Sequence, residues 1–249
     1  VSITKRWHTA EIELLEHCLR EDLNKKANRA LAVLRPIKLV IENYPEDQVE
    51  YLEAANNPQN SDSGTRKIPF SKELYIEQDD FMENPPKKFF RLTVGREVRL
   101  RYGYLITCVE IIKDPTTGEV IELRCTYDPE TRGGNAPDGR KVKSTIHWVS
   151  ANHSIDAEVR LYERLCLDPE PDISDGKSLE TVLNPNSLEI IRSAKVEPSL
   201  KESTPGNPIQ FERLGYFCLD SADSDNSNDL VFNRTVSLRD SWSRIQSHN

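Results

Sequence analysis

After Pro36 the chain breaks into short runs of β-branched and aromatic residues, each closed by a turn-rich stretch. The runs cover residues 37–44, 72–77, 90–101, 104–113, 119–127, 142–150 and 158–165. Between them lie stretches such as 56–64, 114–118, 132–139 and 168–176, dense in Gly, Pro, Asn and Asp. Strand-length runs with regular turn punctuation predict a β-barrel or sandwich. The string Asp114-Pro115-Thr116-Thr117-Gly118, set between two alternating runs, is the clearest hairpin. The last third continues with runs at 188–191, 210–219 and 231–238, whereas 221–229 is too polar to bury and reads as a hairpin tip or mobile loop. Ahead of all this, Thr9 followed by Glu11 and Glu13, with Ile12, Leu15, Leu19 and Leu23 at helical steps, predicts one capped amphipathic helix to about Asn24. The expected fold is a short helical piece followed by about a dozen strands.

Charge is unevenly placed. The chain carries a net −8, yet Lys87-Lys88-Phe89-Phe90-Arg91-Leu92-Thr93-Val94-Gly95-Arg96-Glu97-Val98-Arg99-Leu100-Arg101 carries +5, leaving −13 elsewhere. A general nucleic-acid coat would be basic throughout, so this pattern predicts a local, shaped site. In extended form, Leu92, Val94, Val98 and Leu100 face a core, and Arg99 and Arg101 share the opposite face. Forked guanidiniums hold bases and phosphates bidentately, and aromatic neighbours stack unpaired bases, which points to single-stranded RNA. A solvated strand face with ordinary surface ion pairs accounts for the same residues, as does a docking face for an acidic protein.

No run approaches a membrane span, so no membrane partner is expected. The chain opens at Val1 with no basic-then-apolar signal segment, which predicts a cytoplasmic protein excised from a longer one. Cys18, Cys108, Cys125, Cys166 and Cys218 are odd in number and widely spaced, so buried reduced thiols are expected ahead of a disulfide framework or zinc knuckle. Gly133-Gly134 lacks the residues of a phosphate loop, and His147 and His153 lack a nucleophile and an orienting acid, so both read as structural histidines. Asp79-Asp80, Glu110 and Glu122 read as a solvated face. Catalytic, cofactor-binding and metal-ligating residues are not expected in this chain.

Several strings, taken together, resemble the C-terminal anticodon-binding region of glutaminyl-tRNA synthetases, class I aminoacyl-tRNA synthetases. They are Cys18-Leu19-Arg20-Glu21-Asp22-Leu23-Asn24, Ile37-Lys38-Leu39-Val40-Ile41-Glu42-Asn43-Tyr44, Asp138-Gly139-Arg140-Lys141-Val142-Lys143 running into Ile146-His147-Trp148-Val149-Ser150-Ala151, and Gln210-Phe211-Glu212-Arg213-Leu214-Gly215-Tyr216-Phe217-Cys218-Leu219-Asp220. Phe232-Asn233-Arg234-Thr235-Val236 with Leu238-Arg239-Asp240 completes the set, and the resemblance spans essentially the whole chain. It implies a mainly β fold of two β-barrels of the ribosomal-protein-like anticodon-binding type, preceded by a short helical segment. In those terms 1–26 ends a helical subdomain, 27–37 with 148–242 forms the proximal barrel, 38–147 the distal barrel, and 243–249 a tail.

The resemblance further implies roles for particular residues. Arg29, Gln210 and Arg213 match the positions that hold the middle anticodon base, a uridine; Arg91 matches the reader of the third base, a guanine; Arg99 and Arg101 match those around the first. Flanking RNA contacts are expected from Lys87, Lys88 and Phe90. Phe90 departs from the polar or basic residue common before Arg91, and Lys88 departs similarly, so this flank would trade a hydrogen bond for stacking. Read from the pattern alone, Gln210 is an exposed strand residue and Arg213 a rim ion pair with Glu212. The implied partners are the glutamine tRNA and an upstream catalytic domain, in a monomer. ATP and magnesium belong to the whole ligase, and this fragment alone would be inactive. An archaeal or eukaryotic-type glutamyl-tRNA synthetase shares the barrel pair, and a non-enzymatic 5S rRNA-binding-like barrel shares the fold.

Overall fold

The computed structural model describes residues 11–134, 136–168, 182–224 and 230–240. Thr9, most of 168–176, positions 225–229 and the expected tail lie outside them.

The helix runs from Ile12 to Lys26, two residues beyond the predicted end, and its first residue follows Glu11, which makes no side-chain cap. Only the C-terminal half of its apolar stripe is covered: Leu19, Leu23 and Ala27 pack on Tyr216 and Val236, while Ile12 and Leu15 are exposed. Its last carbonyls are capped from a distance. The buried Asn57 amide donates to the carbonyls of Asn24, Lys25 and Ala27 at 3.1–3.3 Å, satisfying groups that a helix end leaves without partners.

Apart from short 3-10 turns and loops, the rest of the described chain is β, in two seven-stranded sheets and a ribbon. The first sheet runs in the order Asn28–Ala30, Pro208–Phe211, Gly215–Leu219, Leu230–Ser237, Ile155–Tyr162, Leu188–Val196, Ala32–Val33. Its two edge strands are separated in sequence by Leu31 alone, so the sheet curls round and nearly closes on itself. The second sheet runs Thr145–Ile146, Glu97–Leu100, Leu105–Lys113, Val120–Asp128, Pro36–Ile41, Glu73–Glu77, Trp148–Ser150. Here His147 alone separates the edges. Curling a sheet until its edges meet leaves little of the exposed edge that invites aggregation. A ribbon of Glu50–Ala55 paired with Thr65–Phe70 lies against the second barrel and contributes Phe70, which meets Trp148 edge to face at 5.0 Å in the core.

The expected mainly β, two-barrel fold is therefore present, with sixteen strands among the described residues rather than a dozen. The additional ones, Asn28–Ala30, Ala32–Val33, Glu50–Ala55 and Thr65–Phe70, are short or sit on polar stretches. The 114–118 hairpin forms as expected, with Asp114 Oδ1 accepting from the Thr116 and Thr117 amides and Gly118 at φ +75°. Three predicted strands are corrected. The run 90–101 is a strand only over Glu97–Leu100; Gly95, at φ +77°, turns the chain, and Val94 is 47% exposed rather than in the core. The run 142–150 splits at His147, because its halves pair with different neighbours, parallel to Glu97–Leu100 and antiparallel to Glu73–Glu77. The run 210–219 is a hairpin whose turn contains Arg213 at φ +68°. Of the cysteines only Cys108 and Cys125 are buried, whereas Cys18 is exposed, which corrects the expectation of uniformly buried thiols.

The chain crosses between barrels at 31–35, and buried carboxylates fix the crossing. Glu197 accepts from the Leu31 amide at 2.9 Å and from Arg66 Nε at 2.6 Å. Glu77 accepts from the amides of Leu34 and Arg35 at 2.6 and 3.0 Å. Leu31 itself, fully buried, packs in the core of the second barrel. The two barrels thus share both backbone hydrogen bonds and core.

Candidate nucleic-acid interface

The turn at Glu212-Arg213 of the first barrel is inserted against the second. Glu212 accepts a 2.8 Å ion pair from Arg101 Nε and a short hydrogen bond from the Tyr102 hydroxyl, while its amide donates to the Ala30 carbonyl at 3.0 Å. Arg213 grips Asp80 with both terminal nitrogens, at 2.5 and 2.7 Å, and its Nη1 also lies 2.9 Å from His147 Nδ1. The same Asp80 carboxylate lies 3.4 Å from Arg91 Nε, and Arg91 Nη1 donates to the Asp79 carbonyl at 3.0 Å. Asp80 is 1% exposed, which corrects the solvated reading for that residue, whereas its neighbour Asp79 is exposed as expected. The reading of Arg213 as a rim pair with Glu212 is corrected as well, since each takes a partner on the other barrel. Gln210 is 8% exposed, buried where an exposed strand residue was the alternative.

Arg29 reaches this region from another direction. Its strand runs parallel to Pro208–Phe211 with Arg29 opposite Gln210, its amide donates to the Asn56 carbonyl at 2.6 Å, and its guanidinium donates to Asn24 Oδ1 at 3.2 Å. Gln210 lies opposite Arg29 on one side and Tyr216 on the other, and burial raises the Tyr216 hydroxyl above its ordinary value against the opposing influence of Arg29 and the Gln210 amide. Arg29 also lines a groove of about 620 Å³ between the barrels, with Asn56, Arg66 and Asn207.

Arg99 and Arg101 do not share one rigid strand face as predicted. Arg101 lies just past the strand end. Arg99 Nη1 turns to the carbonyls of Gly103 and Thr131 at 3.3 and 3.2 Å, and burial lowers its guanidinium below its usual value. Burial acts in the same direction on Arg101, but the charge of Glu212 and the neighbouring Tyr102 outweigh it and raise the group. Lys88, Phe90 and Arg91 line an open cleft of about 610 Å³, and Phe90 stands 49% exposed.

Two backbone departures mark the junction. Among the described residues the only non-glycine positions with positive φ are Tyr102, at +63°, and Arg213, at +68°. Such conformations cost free energy and persist where surrounding contacts impose them. Here the contacts are the clasp itself, for Tyr102 binds the carboxylate that immediately precedes Arg213. Sequence reading passed over Asp80, Tyr102 and His147 as parts of this site, and nothing in their local pattern marks them.

Two sequence models of one family match the chain. Both are described as the anticodon-binding domain of class I tRNA synthetases for glutamate and glutamine; one matches residues 27–128 and the other 145–220. The chain belongs to this anticodon-binding family. Among its relatives, the glutamine-tRNA ligase of Nitrobacter hamburgensis is 56% identical over 245 residues, that of Bradyrhizobium diazoefficiens 55% over 244, and that of Clostridium kluyveri 48% over 242. These alignments cover 97–98% of this chain but 43% of each relative, so the chain spans about two fifths of their length. The resemblance carried by the Gln-Phe-Glu-Arg and Ile-His-Trp-Val strings is therefore a family relationship. Within the family frame, the geometry groups the expected positions around one turn: Gln210 with Arg29 on adjacent strands, Arg213 with Arg91 on one carboxylate, and Arg101 on the intervening Glu212.

Proposed function

We propose that this chain is the anticodon-reading part of a glutamine-tRNA ligase, with Arg29, Gln210 and Arg213 holding the middle base, Arg91 the third, and Arg99 and Arg101 serving the first. Its two barrels are nested, the second carried as an insertion in the first. The observation that carries the reading is the shared carboxylate: Asp80 orients the guanidiniums of Arg213 and Arg91 together before any RNA arrives. Uracil presents two carbonyl acceptors beside one donor and guanine presents O6 and N7, edges that forked donors and an amide satisfy. Unpaired base edges offer more information than the deep groove of an RNA helix. The family covers both glutamate and glutamine enzymes, and the relatives named above favour glutamine.

In this reading the ligase step, with its ATP and magnesium, belongs to a catalytic domain outside this chain, and the protein works as a cytoplasmic monomer. Binding here aids that step to the extent that it favours the tRNA pose reaching the catalytic centre. The test is fluorescence-anisotropy titration with a glutamine anticodon stem-loop and a copy carrying adenine at the middle base. The expected result is preference for the uridine loop, and the preference should shrink in Arg213→Ala by roughly 1–3 kcal/mol, the scale of one bidentate base contact. Equal binding of both loops by the unsubstituted chain would remove the reading.

A further inference from the structure

Beyond the clasped junction lies a second cluster of different character. Lys143 Nζ sits 5.1 Å from the centroid of the exposed Phe90 ring. Phe90, Arg96, Lys141 and Lys143 line a cleft of about 330 Å³ that also holds Glu97. The Glu97 carboxylate is already occupied, receiving two 2.9 Å hydrogen bonds from Arg140. Arg96 spends its Nη1 on the carbonyls of Phe89 and Arg91, which leave its charge uncompensated. Among the described residues, Lys87, Lys88, Lys141 and Lys143 have no carboxylate within ion-pair distance. Phe90 lines this cleft and also the larger one that ends at Arg91 and Ser144. An exposed aromatic ring flanked by unpaired ammonium groups is the arrangement that binds one unpaired base by stacking and its phosphates by charge.

We propose that Phe90, Lys141 and Lys143 form a nucleotide site of their own, next to the triplet pockets, which takes one unpaired RNA base on the ring and the adjoining backbone phosphates on the two lysines. The proposal rests on the reading of Arg91 as an anticodon contact, since that residue places the RNA strand at the mouth of the shared cleft. Stacking is tolerant of base identity and phosphate contacts are blind to it, so the site adds affinity without selectivity.

The test uses the same stem-loops, titrated at several salt concentrations. Phe90→Ala weakens the cognate and the middle-base variant loops alike, by roughly tenfold, and leaves their ratio intact; Phe90→Trp restores the affinity. Removing Lys141 and Lys143 flattens the dependence of log affinity on log salt by about 0.7 for each phosphate no longer neutralised. All of these side chains are at the surface, so unfolding midpoints should stay unchanged and report a folded variant. Unchanged affinity in Phe90→Ala, with Arg213→Ala still relaxing middle-base preference, overturns the site and leaves the anticodon reading standing. A changed base preference in Phe90→Ala makes the ring part of a triplet pocket and overturns a separate site. Failure of the unsubstituted chain to bind the loops overturns both.

Discussion

At the barrel junction every arginine with a proposed base contact is already engaged: Arg213 and Arg91 on Asp80, Arg101 on Glu212, Arg29 on Asn24 and Arg99 on two carbonyls. A short distance away, Lys87, Lys88, Lys141 and Lys143 have no ionic partner among the described residues. The difference follows from what each task requires. Reading a base edge needs donors held in a fixed fork, and an unheld guanidinium would lose rotamer freedom on binding, at about 0.5–1.5 kcal/mol per side chain. Attracting a phosphate needs only a mobile positive charge, which an ammonium on a flexible stem supplies. On the proposed reading, selectivity is built where arginines are tied down, and non-selective affinity where lysines are free.

The strongest way to break that contrast is Asp80→Asn. The substitution keeps the shape and removes the charge that orients two guanidiniums from opposite barrels. Asp80 is buried while Arg213 and Arg91 keep solvent access, so the arginines rehydrate and the stability loss should be about 1–3 kcal/mol, read as a shift in the urea unfolding midpoint. The more telling result concerns binding. Selectivity at the middle and third bases should fall together, because one carboxylate serves both readers. A variant that lost overall affinity but kept both preferences would show that orientation at the junction plays no part in selectivity.

The fold class was legible in the sequence because barrel strands announce themselves by length, residue type and turn punctuation, and the 114–118 hairpin is fixed by local chemistry alone. The strand breaks were harder. Gly95 within the run 90–101 was a readable warning, since glycine inside a strand pattern often marks a turn or bulge. His147 gave no such warning: its neighbours continue an extended pattern, and the split arises only because the two halves pair with strands about 45 and about 75 residues away. The site divides in the same way. Arg91, Arg99 and Arg101 stood out in the basic run 87–101, and Arg29, Gln210 and Arg213 were found through family strings, whereas Asp80 looked like one more surface acid. A carboxylate becomes a buried anchor only when two distant segments bring guanidiniums to it, and no local pattern encodes that meeting. Arg213 is similar, for its positive φ is imposed by the clasp and not by a glycine at that position.

A middle-sized effect sharpens the junction side of the contrast. Burial first, and then the hydrogen bond to Glu212, raise the Tyr102 hydroxyl above its ordinary value near 10, against the opposing charges of Arg101 and Arg66. A raised value in the folded state means that folded protein holds this proton more tightly than unfolded protein. The stabilisation is then complete below pH 10 and is lost as pH rises through the folded value. Tyr102→Phe should cost about 0.5–1.5 kcal/mol at neutral pH through the lost hydrogen bond. The gap from the parent should close above pH 10, in paired urea titrations in which the other buried tyrosines are common to both proteins. A constant gap across that range would mean that Tyr102 ionises as freely as an exposed phenol.

The smallest expected effect tests whether the free lysines matter by position or merely by charge. Lys113 lies on the strand that leads into the 114–118 hairpin and is ion-paired with Glu83, at 2.8–2.9 Å to the two carboxylate oxygens. It is as accessible as many surface lysines, but its charge is balanced and it lines neither cleft beside Phe90. Exposed pairs of this kind contribute about 0–1 kcal/mol, so Lys113→Ala should barely move the unfolding midpoint. Its effect on stem-loop affinity and on the salt slope should be smaller than that of Lys143→Ala, although both remove one positive charge. Equal losses from the two variants would mean that the RNA responds to net charge alone, and the distinction between an organised junction and an open lysine flank would then have no consequence for binding.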